Sequence, residues 1–396
     1  MPSNMGQKTA EETFIAIDFG TRASRIAHAG SETKPLIGDL TGEMEIPAAL
    51  TLSKEGGMLA GLEAHAHAVL LPAETVLSLR ALFTQGSPEL VERGPFFPHA
   101  LGDSQLLQVE VGGRRRLPME LAALYLLHLR RTAELALERP VESVVLTVPV
   151  VFTALDRQAY RLSARMAGFR RVRLIDESTA AALAALAAGV QGRVAVCSWG
   201  AGFLSLALVE LRRDIVKVLA AAGSSQAGGE RVELALARDF LARVREAGLS
   251  FENETHVARH ILMAAAKALP EIASRGEAEV QVRLADQRQP FRQVYRRDDI
   301  QTWLEPLKET ATTLGKRLAG DLHLLPGDVD ALVLAGGVTR FDSVRKHLVG
   351  FYRRAAVDSI DPLEAAVRGA LVRAQFLNRE TPQPLVLDSL PWSVGV

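Results

Sequence analysis

The residues best suited to chemistry lie in three glycine-containing turns, each of which follows an apolar strand pattern. In the first turn, the run FIAIDF contains Asp18 and is followed by Gly20, Thr21 and Arg22. A turn of the same kind follows ALVLA and contains Gly336, Gly337 and Arg340. Glycines after a strand leave backbone N–H groups free to contact phosphate oxygens. The turns therefore predict a cleft that binds a nucleotide.

The middle turn, from Cys197 to Ser205, has a different composition. Its sequence CSWGAGFLS contains Gly200 and Gly202 but no carboxylate, and Ser198 and Ser205 are its only hydroxyl side chains. Acidic and hydroxyl groups at such a turn help to hold Mg²⁺ and water during phosphoryl transfer. The sequence therefore predicts a chain that holds a nucleotide and is poorly equipped to hydrolyse it.

An internal repeat positions two of these turns. Residues 14–29 and 194–211 share one plan, an apolar strand, a tight glycine turn and a second apolar strand, and each is followed later by a strand and a helix. Duplicated α/β halves that face each other would place the two hairpin turns on opposite walls of a cleft. The helix after Phe152 is predicted by a capping box of Thr153 and Asp156. Its apolar residues recur at helical spacing, at Leu155, Ala159, Leu162 and Met166.

Length and composition indicate a globular protein of two lobes or more. The chain has 396 residues, of which 48% are hydrophobic, and 46 basic residues balance 46 acidic ones, so neither nucleic acid nor a membrane surface is an expected partner. The single cysteine, Cys197, favours a reducing cytoplasm, and we expect a monomer. The predicted organisation is a disordered tail (1–12), lobe I (13–193, with an inserted subdomain at about 45–117), lobe II (194–378, with an insertion at about 231–318), and a linker with a truncated strand (379–396).

The motifs, taken in order, resemble the ATPase half of the 70-kDa heat-shock chaperones (DnaK-type). The similar segments are IDFGTRAS, TVPVVFTALDRQAYRLS, LIDESTAAALAA, AGSSQAGGE, LAGGVTR and DPLEAAVRGALVRA, and the tail LVLDSLPWSVGV is similar to the family's interdomain linker and next strand. The resemblance covers residues 13–396. It implies an α/β, two-lobed actin-like ATPase fold, with duplicated ribonuclease-H-like halves that each carry an inserted subdomain.

The resemblance also implies a site for ATP or ADP with Mg²⁺. Asp18 and Glu177 match the family's metal-shell carboxylates, and Arg80 matches its catalytic lysine, although an arginine at that place could equally be a solvated helix residue. Arg22 replaces a small hydroxyl residue, and could add charge toward a phosphate or fill its site. The implied nucleotide contacts are Gly20, Thr21, Arg22, Gly200, Gly202, Gly228, Gly229, Gly336, Gly337 and Arg340.

Two walls of this implied site depart from the family pattern. Where the family has DLGGGTFD, Ser198 and Ser205 stand for aspartates, Phe203 for a threonine and Ala201 for a glycine. On the adenosine side, charged and polar family residues become Ala266, Leu269, Pro270 and Ala273, with Pro270 expected to interrupt its helix.

Other positions bear on coupling to partners. Pro149 and Arg157 match a family relay pair, and Arg173 and Asp388 match a pair that docks the linker. Val151, Thr153 and Ala154 replace the residues that contact J-proteins, which argues against that contact.

Two functions remain open from the sequence. The first is a divergent chaperone-type ATPase domain that binds ATP or ADP with slow or absent turnover. The second is a pseudo-ATPase, a scaffold or regulator that binds a co-chaperone or another protein without nucleotide turnover. A sugar kinase is a distant third, because the linker-like tail and the TVP segment point to chaperones.

Overall fold

The computed structural model describes residues 14–28, 36–102, 106–249, 251–284, 289–377 and 385–387. The predicted tail 1–12, Asp388 and most of the predicted linker lie outside the described residues.

Strands and helices alternate in the order expected of two α/β halves. The elements of the first half are β1 (Phe14–Phe19), β2 (Ala23–His28), β3 (Leu36–Ile37), β4 (Ile46–Pro47), β5 (Ala49–Leu52), β6 (Met58–Ala60), α1 (Leu62–His67), β7 (Thr75–Leu77), α2 (Ser87–Val91), β8 (Val109–Val111), β9 (Arg114–Arg116), α3 (Pro118–Leu137), β10 (Ser143–Val148), α4 (Ala154–Met166), β11 (Arg171–Asp176) and α5 (Glu177–Ala187). Those of the second half are β12 (Gly192–Trp199), β13 (Leu204–Arg212), β14 (Ile215–Ser224), α6 (Glu230–Glu246), α7 (Glu254–Arg275), β15 (Glu277–Val282), β16 (Phe291–Arg296), α8 (Arg297–Asp321), β17 (Ala331–Ala335), α9 (Asp342–Tyr352), α10 (Ala365–Leu377) and β18 (Leu385–Leu387).

The two main sheets share a four-stranded topology, β10-β1-β2-β3 in one and β17-β12-β13-β14 in the other, and each has a further parallel strand at one edge. One runs β11-β10-β1-β2-β3, with β4 also paired to β2, and the other runs β17-β12-β13-β14-β18. In each sheet a hairpin (β1–β2 or β12–β13) lies antiparallel, and its first strand lies parallel to a later strand (β10 or β17). The prediction of a duplicated, two-lobed α/β fold is confirmed.

A layer of two helices lies between the sheets. Alternate residues of β1 enter different cores: Ile15 and Ile17 pack in the core of lobe I, whereas Phe14 and Ala16 pack with α5 and α10. This middle core also contains residues of β12 and β13, so α5 and α10 join both sheets. Gly369 of α10 permits a close crossing with α5, because a Cβ at this position would lie 1.6 Å from the Ala180 carbonyl oxygen.

Helix α4 begins as predicted but packs differently. Thr153 and Asp156 form the capping box, in which the Asp156 amide donates to Thr153 Oγ1 at 3.3 Å. The apolar positions that identified the helix face solvent, with Leu155 76% exposed and Leu162 and Met166 also exposed. Its buried residues are Tyr160, Ser163 and Ala164. The apolar spacing therefore found the helix without identifying its buried face.

The two insertions face each other across the cleft. In lobe I, β5, β6 and β7 form a three-stranded sheet and β8 and β9 a hairpin. In lobe II, α6, α7, α8 and the β15–β16 hairpin share one core. Phe96 of the first insertion packs into this second-lobe core, so the insertions are in direct contact.

Candidate nucleotide site

A cavity of about 470 Å³ lies where the three glycine-containing turns meet. The sequence-predicted residues that line it are Asp18, Gly20, Thr21, Arg22, Arg80, Glu177, Gly200, Gly229, Gly336, Gly337 and Arg340. The other two predicted residues do not line it and serve close packing. A Cβ at Gly202 would lie 2.3 Å from Thr21 Oγ1, and one at Gly228 would lie 2.2 Å from the Ala201 carbonyl oxygen.

The first turn keeps groups that suit a phosphate. Asp18 is held by the hydroxyl of Thr147 on the parallel neighbour β10, which donates to Oδ1 at 2.6 Å. Thr21 Oγ1 is buried and has no hydrogen-bond partner among the described residues. An orphaned buried hydroxyl costs free energy, so a ligand oxygen at this place would satisfy it. Thr147 was missed from the sequence, because only the strand register brings it beside Asp18.

Two of the three predicted catalytic side chains are bound to each other. Arg80 and Glu177 form a buried ion pair, with 3% and 6% of their side chains exposed. Ser198 Oγ donates to the other oxygen of Glu177 at 3.3 Å. Burial raises the pKa of Glu177, and the charge of Arg80 opposes that rise. Arg80 is therefore a buried residue rather than a solvated one.

Phe203 covers this ion pair. Its ring centroid lies 5.1 Å from the Arg80 guanidinium carbon, and it packs edge-on against Phe152 at 5.9 Å. Although Phe203 belongs to the hairpin turn of lobe II, its side chain lies in the core of lobe I. A phenyl ring therefore stands on Arg80 at the position where the family pattern has a threonine.

The backbone carbonyl groups of the middle turn are hydrogen-bonded to the start of α6. The amides of Gly229 and Glu230 at the start of α6 donate to the carbonyl oxygens of Gly200 and Ala201, at 3.1 and 2.8 Å. Those two amides are consequently engaged in joining the turn to the helix. At the far end of the turn, Ser205 Oγ is buried and accepts from the Val150 amide at 3.4 Å.

Arg22 bridges the lobes at the mouth of the cavity. Its guanidinium contacts Glu233 of α6 at 2.6 Å and donates to the Ala266 carbonyl of α7 at 2.8 Å. The prediction that Pro270 interrupts its helix is wrong, since α7 continues from Glu254 to Arg275. Because proline has no N–H, the carbonyl four residues earlier, that of Ala266, loses its helical partner. Arg22 supplies the replacement, and we call the set of Arg22, Glu233 and Ala266 the Arg22 latch.

The predicted adenosine wall is apolar. Leu269, Pro270 and Ala273 line the cavity together with Leu304 and Phe341. Ala266 lines a neighbouring cavity instead. Such a wall can pack against an aromatic base, while the polar side chains of Ser274, Arg297 and Asp342 also line the cavity.

The predicted relay residues are placed next to the ion pair. Arg157 of α4 forms an ion pair with Asp176, the residue before Glu177, and its Nε donates to the Phe152 carbonyl at 3.1 Å. Pro149 is buried beyond the end of β10, and Arg173 is exposed. The pairing of Arg173 with Asp388 stays a prediction.

The residues present fit a nucleotide better than a directly bound metal ion. The cavity volume, the orphaned Thr21 hydroxyl and the nearby arginines suit an anionic ligand with an apolar base. Within the described part of the chain, no group of three or more histidine, cysteine, aspartate or glutamate side chains could hold a metal ion. Of the two predicted metal residues, Glu177 is occupied by Arg80, which leaves Asp18.

Comparisons with known proteins agree with the fold. The model of the family "Hsp70 protein" matches residues 14–396. A "Chaperone protein HscA homolog" from Azotobacter vinelandii is 31% identical over 401 residues, and one from Burkholderia multivorans is 30% identical over 388 residues. These alignments cover 100% and 96% of this chain, which spans 63% and 62% of the length of those relatives. No helix in the described ranges has the length and apolar character needed to cross a bilayer.

Proposed function

The chain belongs to the Hsp70 family, and on that premise we propose that it binds ATP or ADP between its lobes and hydrolyses ATP slowly or not at all, in a chaperone-related role. The observation that supports slow turnover is the buried Arg80–Glu177 ion pair beneath Phe203. The cavity lined by Asp18, the orphaned Thr21 hydroxyl and the glycine turns supports nucleotide binding.

The loss of rate follows from what these side chains can no longer do. The two carboxylate oxygens of Glu177 are engaged by Arg80 and Ser198, which leaves them poorly placed to hold a metal ion or a water, and a phenyl ring cannot orient water by a hydrogen bond. Removing one positioned polar group from an active site typically costs about 10²–10³ in rate. With Ser198, Phe203 and Ser205 all altered, we expect turnover far below that of an ordinary ATPase of this fold.

In this proposal the chain's own residues bind and orient the nucleotide. Gly20, Thr21 and Arg340 face the phosphates and ribose, and Leu269 and Phe341 pack beside the base. Mg²⁺, where present, would supply charge neutralisation of the phosphates. Among the described residues, the side chains of the site do not fit a metal held directly by protein.

A pseudo-ATPase scaffold is the second candidate, and the bridging of the lobes favours it. Besides the Arg22 latch, Arg93 of lobe I contacts Glu230 of lobe II at 2.9 Å, and Ser78 also donates to Glu230. A cleft that is bridged by protein side chains can present a fixed surface to a co-chaperone or another partner. We further propose a cytoplasmic monomer, with contact to J-proteins weakened by Val151, Thr153 and Ala154.

Calorimetric titration with ATP and ADP, each with and without Mg²⁺, distinguishes the two candidates. We expect micromolar binding by the parent protein and its loss in Asp18→Ala, while Asp321→Ala, at the exposed end of α8, keeps the parent affinity. Absence of heat at millimolar nucleotide would reject nucleotide binding and favour the scaffold. A steady-state ATPase rate typical of the family would reject slow turnover.

A further inference from the structure

A second cavity, of about 250 Å³, lies beside the Arg22 latch, whose three residues form part of its lining. It is enclosed by the insertion of lobe I on one side and by α6 and α7 on the other. Thr21 and Arg22 line both cavities, whereas Phe96, Phe97 and Arg259 line only the second one. None of these three side chains has a role in the proposed nucleotide site.

Arg259 of α7 is the unusual group in this cavity. It is 3% exposed, and its Nη2 makes only long hydrogen bonds, to the carbonyl oxygens of Pro72 at 3.4 Å and Thr75 at 3.3 Å. Its Nε is buried and has no hydrogen-bond partner among the residues that the structure describes. Burial lowers the pKa of Arg259 to about 10, so the side chain still carries its charge at neutral pH.

The neighbouring carboxylates are already paired with other arginines. Glu230 contacts Arg93 at 2.9 Å, and Glu233 contacts Arg22 at 2.6 Å. Glu45, the third acidic residue of the lining, is paired with Arg25. Across the described ranges, Arg259 forms no ion pair with any carboxylate. A buried cation without a counter-charge is strongly unfavourable, which calls for an anion in the cavity.

We propose that this cavity binds a small organic carboxylate with an apolar body, whose carboxylate pairs with Arg259. The planar guanidinium matches a carboxylate through two parallel hydrogen bonds. The surrounding side chains of Phe96, Phe97, Leu262 and Met263 suit a ring or a branched chain. Inorganic phosphate has no apolar body to fill this space. The proposal does not rest on nucleotide binding.

The test uses phenylacetate and its uncharged counterpart phenylacetamide as calorimetric probes of the purified chain. We expect the parent to bind phenylacetate and not phenylacetamide. Arg259→Met should weaken phenylacetate binding by about tenfold or more, because a charge-assisted hydrogen-bond pair is lost. Arg259→Lys, which keeps the charge without the planar fork, should weaken it less. The matched control is Arg275→Met, an exposed arginine on the same helix, which should bind like the parent.

Two further readouts separate a ligand site from a structural role. The melting temperature of Arg259→Met should equal or exceed that of the parent, since an unpaired buried charge is removed. The methyl NMR signal of Met263, assigned with Met263→Leu, should shift with phenylacetate in the parent, while that of exposed Met166 stays fixed. This second measurement serves even if Arg259→Met fails to fold.

Three results would each overturn the proposal. They are equal binding of phenylacetate and phenylacetamide, undiminished phenylacetate binding by Arg259→Met, and no heat and no Met263 shift at millimolar phenylacetate.

Discussion

The hairpin turns β1–β2 and β12–β13 occupy equivalent places in the two lobes, but their residues make different contacts. The first keeps Asp18, held by Thr147, and a buried Thr21 hydroxyl that has no hydrogen-bond partner among the described residues. The second directs Phe203 across the cleft into the core of lobe I and gives two carbonyl oxygens to the start of α6. Both turns contact the opposite lobe, the first through the charged side chain of Arg22 and the second through the apolar ring of Phe203.

The difference shows that backbone and chemistry are specified separately in this fold. Both turns follow a strand that lies between a parallel and an antiparallel neighbour, so both reach the same cleft. The two turns therefore differ in their side chains, and we expect those side chains to decide whether a turn contacts phosphate or packs into a core. Phe203 adds apolar burial beside Arg80, where the family pattern has a polar threonine, and we expect this to favour stability over turnover.

The largest expected effect comes from separating the ion pair that lies between the turns. Glu177→Leu leaves the Arg80 charge buried without a partner, which should lower the free energy of unfolding by about 3–5 kcal/mol. Urea unfolding of the purified chain measures this loss.

The control for the ion pair is the double variant Arg80→Met with Glu177→Leu. It removes both charges, so its stability should return close to that of the parent. If Glu177→Leu alone were as stable as the parent, the ion pair would not stabilise the fold. That result would contradict the prediction.

Converting the second turn into a polar one should change the rate. Ser198→Asp, Phe203→Thr and Ser205→Asp together replace three groups, and we expect ATP turnover to rise by about 10²-fold, the typical effect of one positioned group. A coupled-enzyme ATPase assay measures it. Phe203→Leu is the matched control, because it keeps the position apolar and should leave turnover unchanged. No rise in the triple variant would assign the defect to the apolar adenosine wall.

Opening the Arg22 latch should speed nucleotide release. Arg22→Ser removes a contact to Glu233 and a charged hydrogen bond to Ala266, and should accelerate the dissociation of a fluorescent ADP analogue by about tenfold. Stopped-flow fluorescence measures the rate.

A second variant separates the latch from direct contact with phosphate. Glu233→Gln breaks the ion pair and leaves the Arg22 charge in place, so faster release in both variants identifies the latch. Release that is faster only in Arg22→Ser would instead indicate an arginine that binds phosphate. The control is Arg231→Ser, which changes an exposed arginine on α6, the helix that carries Glu233.

The sequence predicted the fold because its pattern is repeated. Two apolar hairpins with glycine turns, each followed by a later strand, were enough to predict duplicated halves and a cleft between them. The six ordered motifs supplied the family, which the comparisons confirm. Eleven of the thirteen predicted site residues line the cavity. Their roles in binding and catalysis stay a prediction.

What the sequence could not predict depends on contacts between distant segments. The hydroxyl of Thr147 reaches Asp18 only through the register of β1 and β10. The bond from Arg22 to Ala266 joins residues 244 positions apart, and it gives a partner to the carbonyl that Pro270 leaves without one in α7. The direction of the Phe203 side chain likewise follows from how the lobes meet, which no local pattern encodes.

The smallest expected effect concerns the helices that follow the parallel strands of each half, α4 after β10 and α9 after β17. In α9 the apolar residues Val344 and Leu348 are buried, whereas in α4 Leu155 and Leu162 are exposed. Leu155→Gln with Leu162→Gln should therefore change the free energy of unfolding by less than about 0.5 kcal/mol. Leu348→Ala is the contrasting substitution and should cost about 2–5 kcal/mol. Urea unfolding of both variants measures the difference. A large loss in the α4 variant would mean that this face is covered in solution, and the two halves would then be more alike than their burial indicates.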